Sequence, residues 1–335
     1  MFKTLIKAAS IAATTLAAAP LAAEQLTVAS FLPGPHHIHT RVLSWFGEEL
    51  DKQSGGDLTI QLFPGGQLGA GPVQQYKRAV EGVADMTVGV SAYTPTVFPK
   101  TMLSILPGSN KTAVQSTERM WDIYEEHLAD EYQEVKLIGL FTVAGRYLSS
   151  RRDLSTADAF QGAKIVPFAS MTQPILENIG AVPVQMPITE VYTGLSTGTI
   201  DAAYTSISNV TPPWNFWDVS DYFVDNVPVN FAVLFVVMNK ERYMGLSDEH
   251  RALIDGLSGR VLSMKGAESF DLADELSLEA MAANPDKMEN AQVVRMSDEE
   301  LAKVEAASEA GLQALFDGYA DRGIDNAEAI YRALN

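Results

Sequence analysis

The chain has 335 residues, no cysteine, and 42 acidic against 24 basic side chains, giving a formal charge of −18 at neutral pH. Without cysteine there can be no disulfide, no thiolate nucleophile and no zinc–thiolate site. So acidic a surface is a poor partner for nucleic acid or anionic lipid.

Residues 1–23 read as an export leader. Lys3 and Lys7 form a basic start, Ile11 to Leu21 an alanine-rich apolar core, and Ala22-Ala23 a small-residue cleavage site. The apolar run is short for a membrane span, and no cysteine is available for acylation. The predicted location is the periplasm, with no membrane insertion after cleavage and a mature start at Glu24. The remainder exceeds the usual size of one core, so two lobes are expected.

Leu26 to Phe31 predicts a first strand, broken by Pro33, Gly34 and Pro35. Val42, Phe46 and Leu50 then recur at helical spacing, and Leu58, Ile60 and Leu62 alternate with polar residues as a strand does. A helix over Pro72 to Glu81 and a strand over Ala84 to Val90 follow. Met120, Trp121, Tyr124 and Leu128 mark another helix, and Lys136 to Thr142 a strand that leads into Gly145.

Gly145 to Asp201 packs several elements into a short span. Ser155 and Asp158 predict a capped turn ended by Gly162, and Ala163 to Val166 a buried strand. Pro174 suits the first turn of a helix that Gly180 would end. Phe231 to Met238 (FAVLFVVM) is apolar throughout, as expected of a central strand buried on both faces. Ser247 predicts the start of a long helical region from Asp248 to about Ala283, and Ser297-Asp298-Glu299-Glu300 opens a C-terminal helix reaching Tyr319. This alternation predicts an α/β fold with functional residues at strand ends. The chain is expected to cross between lobes near Val143, near Phe231 and within the long helix.

No catalytic motif is present: no G-x-S-x-G, no H-E-x-x-H and no G-x-x-x-x-G-K-[ST]. Asp153 and Asp158 could pair as carboxylates, but the capping role accounts for Asp158. In His36-His37-x-His39, the outer two of the last three residues could face one way and hold a metal. No carboxylate lies within several residues, so these read as loop histidines without metal. His36 follows the end of the first strand, where α/β sheets place ligands. No metal and no cofactor are expected.

One ordered set of motifs is more specific. Gly162-Ala163-Lys164-Ile165 is followed by Ile179-Gly180-Ala181-Val182-Pro183-Val184 and then by Glu190-Val191-Tyr192 through Thr197-Gly198-Thr199-Ile200-Asp201-Ala202. Upstream stand Ser54-Gly55-Gly56, Phe63-Pro64-Gly65-Gly66-Gln67-Leu68-Gly69 and Gly82-Val83-Ala84-Asp85. In this order the chain resembles solute-binding proteins of tripartite ATP-independent periplasmic (TRAP) transporters, over most of its length after the leader. The resemblance implies a two-lobe periplasmic binding protein fold with a cleft between the lobes and a long lobe-bridging helix. Lobe I would span 24–143 and 232–271, and lobe II 144–231 and 272–335. Such a receptor closes on a small organic solute, performs no chemistry, and hands the ligand to membrane permease subunits driven by an ion gradient.

Arg146 matches an arginine of that family which helps hold the ligand's carboxylate, a task suited to a planar fork of donors. The alternative is a surface ion pair. The sequence also departs from the family. Where G-x-K-[IL]-R-V-P is usual, this chain reads through Ile165-Val166-Pro167 with no arginine. Tyr204 and Thr205 occupy places usually held by Glu and a ligand-binding Asn, and Trp214, Phe216 and Trp217 add rings. The ligand contacts assigned are Arg146, His36, Tyr204, Thr205 and Trp214. To these are added Phe31, Tyr93, Val166, Phe168 and Ile188. Fewer charges and more rings suit a less polar organic acid, or else a cation or weakly polar ligand held against aromatic faces. Two other classes are a secreted hydrolase, which lacks its motifs here, and a sensor domain, which needs an anchor or partner.

Overall fold

A computed structural model describes residues 23–106, 112–143, 145, 147–167, 169–227, 232–289 and 291–334. The leader, Arg146, Phe168 and Phe231 lie outside the described residues.

The strands are β1 (Glu24–Ser30), β2 (Leu58–Phe63), β3 (Met86–Val90), β4 (Val135–Val143), β5 (Tyr147–Ser150) and β6 (Lys164–Val166). They continue as β7 (Val182–Pro183), β8 (Ala202–Thr205), β9 (Tyr222–Asp225), β10 (Ala232–Asn239) and β11 (Gln292–Arg295). One sheet has the order β2-β1-β3-β10-β4 and the other β11-β9-β5-β8-β6-β7. The chain therefore leaves the first sheet after β4, builds β5 to β9 in the second, and returns as β10. In the first sheet β10 runs antiparallel to both β3 and β4. Every residue of β10 is buried, as its unbroken apolar run predicts.

Packing explains the glycines that sit within these strands. Gly89 lies opposite Phe235 in the β3–β10 ladder, and a Cβ at Gly89 would stand 2.2 Å from that ring. Phe235 cannot retreat. It is 1% exposed and packed against Phe98 and Tyr76.

The long helical region forms as two segments, Asp248–Leu257 and Arg260–Ala283. Ser247 caps the first by accepting from the His250 N–H. The bend falls at Ser258-Gly259, where Gly259 takes a φ of +66° that a side chain would resist. The second segment lies directly on β4. There Gly266 leaves room for Phe141, and Gly139 leaves room for Leu262.

Two local expectations change. The helix expected over Pro72 to Glu81 is confined to Gln75–Val80, and the Arg78 side chain donates back to the carbonyls of Ala70 and Gly71 in the turn before it. The turn after Ser155 is a short 3₁₀ segment, Ala157–Phe160, and neither Ser155 nor Asp158 caps it. Its first N–H is satisfied instead by Glu300, from the C-terminal helix Asp298–Ala320. A carboxylate beside a helical N-terminus does this work wherever it comes from. Gly162 ends the turn with φ +68°, as expected.

The Gly89 contact yields a stability test. Gly89→Ala should lower unfolding free energy by about 1–3 kcal/mol, the usual cost of overpacking a tight core. Phe235→Leu in that background should return part of the loss. Chemical denaturation checks both, and an unchanged midpoint for Gly89→Ala contradicts the packing argument.

Candidate functional site

The ends of the first sheet's strands gather on one edge. Phe31 and Leu32 follow β1, Val90 closes β3 and Tyr93 lies just beyond it, and Val143 ends β4. Antiparallel β10 begins at the same edge and contributes Ala232 and Leu234. From the second sheet come Ile188, which opens the helix Ile188–Thr197 after β7, and Asn209 and Trp214, which follow β8. Phe270 of the long helix closes the ring. Together these residues and His36 surround a small cavity between the two sheets.

Most of this lining is apolar. Tyr93, His36 and Asn209 are its polar members. The Tyr93 hydroxyl accepts the Ile188 N–H at 2.9 Å, so the residue after β3 ties directly to the helix start after β7. Burial pushes the phenol well above its ordinary range, and Glu190 adds to this, so it stays protonated and its own hydrogen remains free to donate.

The three neighbouring histidines are each engaged differently. His39 donates through Nδ1 to the Gly34 carbonyl at 3.2 Å and accepts at Nε2 from Ser30 at 2.8 Å. His37 meets Ser269 of the long helix through Nδ1 at 2.8 Å and packs edge-on against Phe270. His36 accepts the Ile38 N–H at Nδ1, so its neutral ring carries the proton on Nε2. It stacks on His37 at 4.4 Å and meets Trp214 edge-on.

All three are held neutral. Burial is the main cause for each. It is reinforced at His36 by the charges of His37 and His39, and at His37 by Arg41 and His39. His37 is driven to about 3. At His39 burial outweighs the hydrogen bonds to Gly34 and Pro33, which act the other way. Among the described residues no cluster of His, Asp and Glu is arranged to hold a metal.

Asp274 sits behind the lining on the long helix. It accepts from the Ser206 hydroxyl and, at 3.0 Å, from the Ser208 N–H, in the segment that leads to Asn209. Burial pushes its carboxyl up to about 6; the hydrogen bonds from Ser206 and Ser208 oppose the shift, and Asp271 adds to it.

Of the residues predicted from sequence, Phe31, His36, Tyr93, Ile188 and Trp214 come together around this cavity. Val166 in β6 and Tyr204 and Thr205 in β8 are buried within the second sheet and do not line it. Arg146 and Phe168 fall outside the described residues. Sequence reasoning missed Asn209 and Phe270, and with them Leu32, Val90, Val143, Ala232 and Leu234. Asn209 had a signal: it is a polar residue a few positions past the end of β8, where α/β ligands bind.

The buried neutral histidines make the fold sensitive to acid. Unfolded, each takes a proton near pH 6.5, whereas folded each resists it. The stability this contributes is complete above that pH and is lost as pH falls toward the folded values. Asp274 acts oppositely, because its folded value of about 6 lies above the ordinary aspartate value of about 3.9. Its contribution is complete at low pH and lost as pH rises through 6. Three groups outweigh one, so Tm should drop from pH 7 to pH 5. His37→Phe should flatten that slope. A Tm that is level or rising toward pH 5 contradicts the assignment.

Comparison with known proteins adds to this geometry. The sequence profile of DctP, bacterial extracellular solute-binding protein, family 7, matches residues 28–318. A marine-metagenome TRAP solute binding protein from an unidentified microbe, specific for aromatic acid ligands and in complex with metahydroxyphenylacetate, superposes with a TM-score of 0.84. It is 24% identical, and the match covers 92% of this chain and 96% of that one. A TRAP periplasmic solute binding protein from Bordetella bronchiseptica with bound (R)- and (S)-mandelate gives a TM-score of 0.81 at 25% identity, covering 93% and 97%. The ectoine/5-hydroxyectoine-binding periplasmic protein UehA of Ruegeria pomeroyi is 26% identical over 268 residues, 76% of this chain and 74% of its own.

Proposed function

The chain belongs to family 7 of the bacterial extracellular solute-binding proteins, and we propose that this solute receptor captures a small aromatic carboxylate for a TRAP permease. The observation that carries the reading is the hydrogen-bonding sense of the cavity. Tyr93 offers O–H, His36 offers Nε2–H, and Asn209 has an Nδ2 with no partner among the described residues. All three are donors, and no carboxylate is among the residues that line the space. Unpaired donors favour a ligand oxygen, and an ammonium group entering here would find no carboxylate among the lining residues. Phe31, Trp214 and Phe270 supply faces and edges for a ring.

Arg146 is assigned the charge partner of the carboxylate. In sequence it falls between the end of β4 at Val143 and the start of β5 at Tyr147. The aromatic acids bound by the marine and Bordetella proteins support this choice, while the Ruegeria relative is named for binding ectoine and 5-hydroxyectoine.

The lobe division proposed is 24–143 with 232–271 against 144–231 with 272–335. The last helix, Ala327–Leu334, packs back on Thr101–Ile105 and Ala113–Asp122 of the first lobe. The Tyr93–Ile188 bond then joins the two lobes across the cleft, and opening would break it. Ligand binding works by shifting the population toward this closed form. Removal of the leader places the mature receptor in the periplasm. Among the described residues no helix is long and apolar enough to cross a membrane.

Calorimetry against benzoate, mandelate and benzylamine tests the ligand class. The acids should bind and the amine should not. Losing a charged partner in a closed cleft costs roughly 2–5 kcal/mol, so Arg146→Ala should weaken acid binding at least tenfold, and Arg146→Lys should recover only part. Preferential binding of the amine, or an acid whose affinity ignores Arg146, overturns the reading. Small-angle scattering should show a smaller radius of gyration with saturating acid, and no compaction counts against the clamp.

A further inference from the structure

Behind His36, Asn209 and Trp214 lies a second compartment of about 580 Å³, its opening included, which shares that wall with the aromatic cavity. Its outer side is formed by Pro35, Arg41, Thr211, Pro212, Leu276 and Ser277. Resting on the aromatic-acid reading above, we infer that this compartment receives a second anionic group of the same ligand, which makes the chain a receptor for aromatic acids bearing two negative groups.

Three observations converge on an anion. Asn209 is only 3% exposed, borders both spaces, and has an Nδ2 without a partner among the described residues. A buried amide left unpaired costs free energy that a ligand oxygen would recover. The Nε2 of His37 is likewise buried and unpaired beside it.

Arg41 is the second observation. In a chain of charge −18, Arg242 and Arg260 are ion-paired, whereas Arg41 makes no hydrogen bond or ion pair among the described residues. Its guanidinium lies near enough to help hold His37 neutral, so its charge is felt inside the compartment.

The third is the absence of competition. No acidic side chain is among the lining residues. Asp274, on the adjoining helix turn, is engaged by Ser206 and Ser208. Thr211 and Ser277 bond to each other at 2.7 Å.

A hydroxyl substituent would satisfy Asn209 but gain little from a cation. A carboxylate uses both, with Asn209 donating one hydrogen bond and the Arg41 fork supplying the charge. The ring would occupy the aromatic cavity with one carboxylate on the Tyr93 and His36 donors. The other would turn past Asn209, which borders both spaces, into the second compartment. The net negative charge of the protein does not forbid a dianion, since exposed charges beyond a Debye length of about 8 Å are largely screened.

Calorimetry on the mature protein with benzoate, 3-hydroxybenzoate, and benzene-1,3- and 1,4-dicarboxylate tests this. At least one dicarboxylate should bind tenfold or more tightly than benzoate, with the hydroxy acid between. Arg41→Gln should bring the ratio of dicarboxylate to benzoate affinity toward one, and Arg41→Glu should invert it. Arg41 is exposed, so both variants should keep the parent Tm. If benzoate binds as well as either dicarboxylate, or if the ratio is indifferent to Arg41, the inference is overturned while the aromatic-acid receptor stands. If no aromatic acid binds, both fall.

Discussion

Strand β4 ends the first sheet, and its outward backbone groups have no further strand to pair with. Buried N–H and C=O groups must be satisfied, and an open edge invites foreign pairing. Here the long helix and the helix Ala113–Asp122 do that work. Gly259 donates to the Ile138 carbonyl at 2.8 Å, Ser263 accepts the Leu140 N–H at 2.7 Å, and the Trp121 indole donates to the Leu140 carbonyl. Thr117 accepts the Thr142 N–H. The long helix is thereby seated on β4 at hydrogen-bonding distance, which is why Gly139 and Gly266 face Leu262 and Phe141 with no room for a Cβ.

Once the near half of that helix is placed, its far half sets the site. Asp271 accepts the N–H groups of Ala113 and Val114, capping a helix that packs on the first sheet. Asp274, three residues on and so on the same face, holds Ser206 and Ser208 beyond the second sheet's β8. Ser269 and Phe270, just before Asp271, reach His37 and the cavity. A single helix thus references both sheets to one another. Asn209 is set in place as a consequence, one residue from the Ser208 that Asp274 holds.

The interior contrasts with the surface. A chain of high negative charge encloses a cavity whose described polar groups are neutral and donate. Desolvation produces this contrast, because burial disfavours the charged form of His36 and keeps Tyr93 protonated. Neutral donors in an apolar enclosure hold a ligand oxygen strongly yet do not demand that a charge remain buried when the cleft is empty. The Tyr93–Ile188 bond joins elements that follow β3 and β7, one from each sheet, so the same phenol that faces the ligand space also ties its two walls.

Local chemistry was legible without coordinates. Alternation gave β2, the unbroken apolar run gave β10 buried along its whole length, and Ser247 and Ser297 announced the helices they cap. The ordered motifs pointed to the family, and the strand-end rule picked His36, which borders the cavity. What depends on partners distant in the chain was not legible. Glu300 caps the turn that Ser155 was expected to cap, from 143 positions away. Tyr93 meets Ile188 across 95 positions and His37 meets Ser269 across 232. Tyr204 and Thr205 follow the family's spacing yet are buried within β8, while Asn209, just past the strand, borders the space. Periodicity and caps are read from neighbours along the chain, so the sequence by itself determined the elements and their order. Which side chains share a cavity, and which donors are left unpaired there, was decided only when the long helix brought the two sheets together.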